Sequence, residues 1–137
     1  MFDLYGNERL ICWKKFRNHL EDSPAALEEC IRWWSKAPFV SPYLNPLDSK
    51  SWPDPWHLVL DAKFDNLAII LGMLYTLQLT DRFKHDQFKI YMRHEDHDMP
   101  YVLSVGEKCV VDLYNVEIEN ENTLPTLDCR LIFATKS

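Results

Sequence analysis

From Leu67 to Leu79 the chain reads LAIILGMLYTLQL, a run in which only Thr76 and Gln78 are polar, so no face of it is suited to water. A membrane-crossing helix needs ~20 consecutive apolar residues. A run this short therefore predicts a helix buried on several sides by the rest of a soluble domain. Gly72, in its middle, would let a neighbouring group approach the helix backbone closely. Asp61 or Asp65 stands ahead of the run as its N-cap, a carboxylate against the partial positive charge of the helix start.

Two amphipathic segments precede this core. Leu10, Trp13, Phe16, Arg17 and Leu20 recur at steps of three and four between Glu8 and Leu20, which predicts a helix with a narrow apolar stripe. Ser23-Pro24 reads as a cap followed by proline at the first helical position. It opens a second helix to about Ser35 with Leu27, Cys30, Ile31, Trp33 and Trp34 on its apolar side. From Ala37 to Pro55 five prolines forbid both a continuous helix and a central strand, yet Phe39, Val40, Tyr43, Leu44 and Trp52 are too apolar for a linker. The expectation is an ordered arm packed across the domain at its Trp52 end and presenting Phe39, Val40, Tyr43 and Leu44 to a partner. Asp54-Pro55 repeats the cap-then-proline signal and opens a short helix.

Beyond Thr80 the period changes. Phe88, Ile90 and Met92 alternate with Lys89, Tyr91 and Arg93 as a half-buried strand does. Tyr101 to Val105 and Lys108 to Leu113 read as two more strands around a Gly106-Glu107 turn, 116–118 as an extension or a strand of its own, and 127–134 as the last. Helices followed by an antiparallel sheet of about four strands make an α+β fold. At 137 residues one domain is expected, divided into a helical pair (1–36), the arm (37–55), the central helices (56–80) and the sheet (86–135).

The net charge of −6 repels phosphate, which argues against nucleic acid as a partner. The one basic cluster, Arg9, Lys14, Lys15 and Arg17, reads as the solvated face of the first helix. Cys12, Cys30, Cys109 and Cys129 lack C-x-x-C spacing and stand beside apolar residues, as free buried thiols in a reducing compartment do. With only Gly6, Gly72 and Gly106, and no G-x-S-x-G, phosphate-loop or H-E-x-x-H element, no cofactor is expected. His94 and His97, in HEDHD, are candidate metal ligands that lack a third partner of fixed geometry. His57, Asp65 and Asp112 are the candidates for acid–base chemistry.

A buried helix followed by antiparallel strands is similar to the core of transglutaminase-like and papain-like proteins. That resemblance implies a cysteine at the start of the central helix, a histidine on one strand and an acid on the next. Lys63-Phe64-Asp65-Asn66 holds no cysteine, Met99-Pro100 stand where the base is wanted, and Asp112 alone fits. At the level of words, APFVSPYLNPLDSKSWPDPW, LGMLYTLQL and YVLSVGEKCVVDLYN resemble small uncharacterised proteins of T4-like tailed phages, those of marine cyanobacteria in particular. That second resemblance implies a protein of the infected host's cytoplasm or of the virion. The expected function is non-enzymatic contact with a phage or host protein, without membrane or nucleic acid and with the oligomeric state open. The alternative is a transglutaminase-like or peptidase-like enzyme with a rearranged site.

Overall fold

The computed structural model describes residues 1–38, 43–61, 63–93, 100–106, 108–111, 117–120 and 130–135. Asn7–Leu20 (α1), Ala26–Trp34 (α2), Pro55–Asp61 (α3) and Asn66–Gln78 (α4) precede five strands: Phe88–Met92 (β1), Tyr101–Val105 (β2), Lys108–Val111 (β3), Glu117–Asn120 (β4) and Arg130–Ala134 (β5). The fold is α+β, with helices on one antiparallel sheet ordered β4-β3-β2-β1-β5. The sheet has five strands where about four were expected, because 117–120 pairs with β3 as a strand of its own.

Helix α4 packs against α2, α3 and β2, and only Asn66, Tyr75 and Gln78 along it are not buried. Each fully buried Leu, Ile or Met side chain contributes ~1.5–3 kcal/mol, so this helix supplies much of the stabilisation. Trp34 lies flat on it at Gly72, where a Cβ would stand 2.5 Å from the indole Cη2 and Cζ3. No side chain fits there. One turn on, the Thr76 hydroxyl accepts from Trp13 Nε1 and Trp34 Nε1, each at 2.9 Å, and donates to Gly72 O at 2.6 Å. One donor and two lone pairs are thereby all in use, joining α1 and α2 to the core helix.

The helix ends are tied by side chains. Asp65 is the N-cap of α4, in extended backbone, and its Oδ1 accepts from Ala68 N at 2.7 Å. After α4, Glu21 accepts from the amides of Asp81 and Arg82 at 2.8 and 3.0 Å, while Arg82 Nη1 donates to Leu20 O and Ser23 O. The second helix starts later than its sequence signal: Ala25 is the N-cap, and Ser23 Oγ accepts from Ala25 N instead. The Ser23 hydroxyl also donates to Glu29, so it serves the α1–α2 turn rather than a helix end.

In the sheet Phe88 and Ile90 pair with Val105 and Leu103, and these four side chains are buried in the main core. Val102 and Ser104, on the opposite face, are buried as well, which marks β2 as a strand covered on both sides. A bulge interrupts the β1–β5 register between Ile90 and Tyr91. Gly106 takes positive φ (61°) at the turn after β2, a conformation glycine adopts without strain.

Candidate functional site

The charged groups of α1 differ most from the expectation of a solvated basic face. Arg9 is only 4% exposed, and its guanidinium donates to Val59 O at 3.0 Å, to Leu60 O and to Leu4 O, binding the last carbonyls of α3. Arg17 is half-buried. Its Cζ lies 4.5 Å from the Trp13 ring centre and 5.7 Å from that of Trp56, and Trp13 and Trp56 meet edge to face at 5.7 Å. Long cations on the margin of an apolar stripe bury their stems and stack on aromatics. Lys14 and Lys15 are exposed, as expected.

The arm is anchored at both of its described ends. Trp52 packs on Phe133 of β5 at 5.3 Å and donates from Nε1 to Asn45 O at 2.7 Å, while Tyr75 of α4 donates to Pro53 O at 2.7 Å. The two tryptophans at the arm's exit diverge: the Trp52 ring goes to the sheet and the Trp56 ring to α1. At the other end Asp65 Oδ2 accepts from Tyr43 N at 2.9 Å and Leu44 N at 3.0 Å. The sequence reading left Tyr43 and Leu44 without an anchor; their amides are held by the same carboxylate that caps α4. Tyr43 remains 46% exposed and its hydroxyl donates to Lys63 O at 2.7 Å. Leu44 packs partly against the core, and among the described residues of the arm Leu47 is the most open aliphatic, at 64% exposure. Phe39 and Val40 lie outside the described residues.

Asp65 also sets the electrostatics around it. Burial, then the Asp65 and Asp61 carboxylates, pushes the Tyr43 phenol up to about 12. Tyr101 at the start of β2 is raised by burial and by Asp65. His57 stands apart from this cluster. It is exposed at the start of α3, where its Nδ1 lies 2.8 Å from both Asp54 oxygens and its backbone N donates to Asp54 Oδ1. Asp65 directs its two oxygens to three backbone amides, so these two candidates do not act on one another. Asp112, His94 and His97 lie outside the described residues. Among the described residues no group of three His, Cys, Asp or Glu is placed to hold a metal ion.

The Asp54–His57 pair carries a pH prediction. The hydrogen bond that the His57 ring donates to the Asp54 carboxylate, and then the charge of that carboxylate, raises the His57 pKa above 6.5, and the His57 amide, then its ring, lowers Asp54 below 3.8. The tie is complete between those two ordinary values. It weakens as pH rises through the raised histidine value or falls through the lowered aspartate value. Asp54→Asn is expected to return His57 toward 6.5 in an NMR titration of the imidazole. A His57 midpoint unmoved by that change would contradict the assignment.

Of the thiols, Cys30 is buried with its Sγ 3.9 Å from Met73 O, and burial pushes its pKa up. Cys12 is half-exposed, contrary to the expectation of burial, because it sits beyond the edge of the α1 stripe. Cys129 is outside the described residues.

Comparison with protein-family models gives no match. Comparison with curated protein sequences gives none either. Among solved structures the fold matches calcium-bound LapG of Legionella pneumophila, with a TM-score of 0.63 over 95% of this chain and 75% of that one, at 14% identity. The likeness is to a transglutaminase-like fold. The helix-then-sheet order of this chain fits that likeness, with α4 as its most buried helix. The start of that helix carries the Asp65 carboxylate, closed over by the arm. Cys12 on α1, Cys30 on α2 and Cys109 on β3 are elsewhere in the chain.

Proposed function

We propose that this chain is a non-catalytic protein of transglutaminase-like fold that works by contact with another protein. The observation that carries the reading is the state of the α4 N-terminus: a carboxylate 2% exposed, saturated by the amides of Ala68, Tyr43 and Leu44. A helix start used for nucleophilic chemistry has to leave its amides and its reactive atom open to substrate. Here the position is taken by a buried carboxylate that bonds the Ala68 amide of the helix and two amides of the arm, and it holds the arm where Tyr43 stays exposed. Aromatic and aliphatic groups on a segment already restrained by proline and by hydrogen bonds lose little entropy on binding. The phage origin suggested by the wording of the arm belongs to this proposal, with a phage or host protein as partner in the infected cell or the virion.

The enzymatic alternative asks for a nucleophile beside His57, whose ring is held by Asp54. LapG was observed with calcium; no cation is assigned to this chain. One set of measurements separates the readings. The purified protein is expected to incorporate no amine into a glutamine peptide and to cleave no peptide, and iodoacetamide is expected to label Cys12 before Cys30. Leu47→Ser is expected to keep the thermal midpoint, as an exposed substitution changes stability by ~0.5 kcal/mol or less, and to lose capture of the partner from phage-infected cells. Turnover abolished by His57→Ala would sink the proposal.

A further inference from the structure

We propose a second contact surface, on α1 and α3, that takes an acidic segment of a partner protein: one carboxylate on Arg17, and a neighbouring apolar side chain on Trp56 and Leu60. Trp56 and Leu60 are one turn apart on α3 and are 45% and 39% exposed. An exposed indole is ordinary on its own. This one is held in place, edge-on to a fully buried Trp13 and with the Arg17 guanidinium against its ring.

Arg17 supplies the polar half. Its Nε is buried with no hydrogen-bond partner, and among the described residues its guanidinium has no hydrogen bond or ion pair, only the faces of two indoles. A buried Nε without an acceptor is uncommon, and the same planar group carries four further N–H donors in a fixed fork. Arg9, eight positions earlier on α1, finds carbonyls for its guanidinium. The natural complement to the Arg17 fork is a carboxylate, which meets it in a bidentate pair. Lys14, exposed one turn before Arg17 on α1, adds a second cation to the same margin. The acid on the adjoining start of α3, Asp54, is engaged by His57.

The apolar half decides between kinds of anion. Trp56 and Leu60 contribute nothing to a phosphate but a large contact to a peptide, and a chain of net charge −6 disfavours an extended polyanion. Tryptophan and arginine together at a partly desolvated site are the residues that dominate protein interfaces. The surface uses none of the arm residues 37–55, so Leu47→Ser and Arg17→Gln remove different side chains and their outcomes are read separately.

The test is selection of a yeast-displayed random peptide library on the purified full chain, followed by titration of the enriched peptide against variants. Enriched sequences are expected to place Asp or Glu next to Leu, Phe or Trp. Binding should weaken at least about tenfold in Arg17→Gln and in Leu60→Ser, with thermal midpoints recorded for each. Arg17→Lys keeps the charge but not the fork and should fall between. The peptide should move the indole N–H signal of Trp56 in an NMR spectrum. Enrichment of sequences without a carboxylate, no enrichment, or binding indifferent to Arg17→Gln and Leu60→Ser would each overturn the proposal. So would displacement by inorganic phosphate at equal concentration, or a dimer in sedimentation that Leu60→Ser dissolves, since these name an anion site and a self-association face instead.

Discussion

Thr76→Val will destabilise the protein by about 2–6 kcal/mol, although it replaces a buried polar group by an apolar one of nearly the same shape. Two indole N–H groups, from Trp13 and Trp34, both fully buried, end on that hydroxyl. Valine leaves both without a partner, at about 1–3 kcal/mol each. Against a total stability of ~5–15 kcal/mol this is a large fraction. Thr76→Ser keeps the hydroxyl and removes one methyl, so it should cost only about 1 kcal/mol. The order matters, because hydrophobicity alone ranks valine above serine at a fully buried position. A denaturant series in which Val is the more stable of the two would show that the indoles have other acceptors.

Asp65→Ala is the second large loss, about 3–5 kcal/mol, and its effect should be divided between a helix and an arm. The cap bond to Ala68 goes with Oδ1 and the bonds to Tyr43 and Leu44 go with Oδ2, each an amide donating to a charged acceptor, worth ~1.5–3 kcal/mol if removed alone and less than additive because the three share one carboxylate. Hydrogen exchange at the Tyr43 and Leu44 amides should accelerate well beyond that at the centre of α4. Asp65→Asn has one acceptor oxygen in place of two. It should keep the cap, release the arm and cost about half as much. The Tyr43 phenol should then titrate below about 12, though still above its ordinary value, since burial is the larger cause of its shift. Equal protection of those two amides in wild type and Asp65→Ala would mean that the arm is held by something other than this carboxylate.

Much of the frame was legible because it follows from local pattern. The apolar run announces α4, Asp61 or Asp65 announces its start, where Asp65 is the cap, and the alternation from Phe88 announces β1. Contacts between distant segments were not legible. Nothing near Tyr43 or Leu44 in sequence shows that their amides end on a carboxylate more than twenty positions away. Arg9 and Arg17 look like solvent-facing charges until α3 is placed beside them. Short β4, Glu-Ile-Glu-Asn, carries one apolar residue and so gives almost no periodicity to read. Of the site residues, the capping role of Asp65 could be read from sequence, but not its hold on the arm nor the pairing of His57 with Asp54.

Trp52 rests on Phe133, and Phe133 belongs to a strand at the edge of the sheet. Strand β5 reaches its place beside β1 only by closing a long loop: Gln87 and Thr135, bonded at the end of that pairing, are 48 residues apart. Such closure is entropically costly before its contacts repay it, so pairing of this kind forms late in folding and opens early. The exit of the arm is thereby latched to the sheet element that is hardest to assemble. Detaching β5 strips the Trp52 ring of its Phe133 contact, and the exit of the arm is then left to the Tyr75–Pro53 and Trp52–Asn45 bonds. A partner that grips the arm thus draws part of its affinity, or gives part of it up, through the edge of a sheet it does not touch.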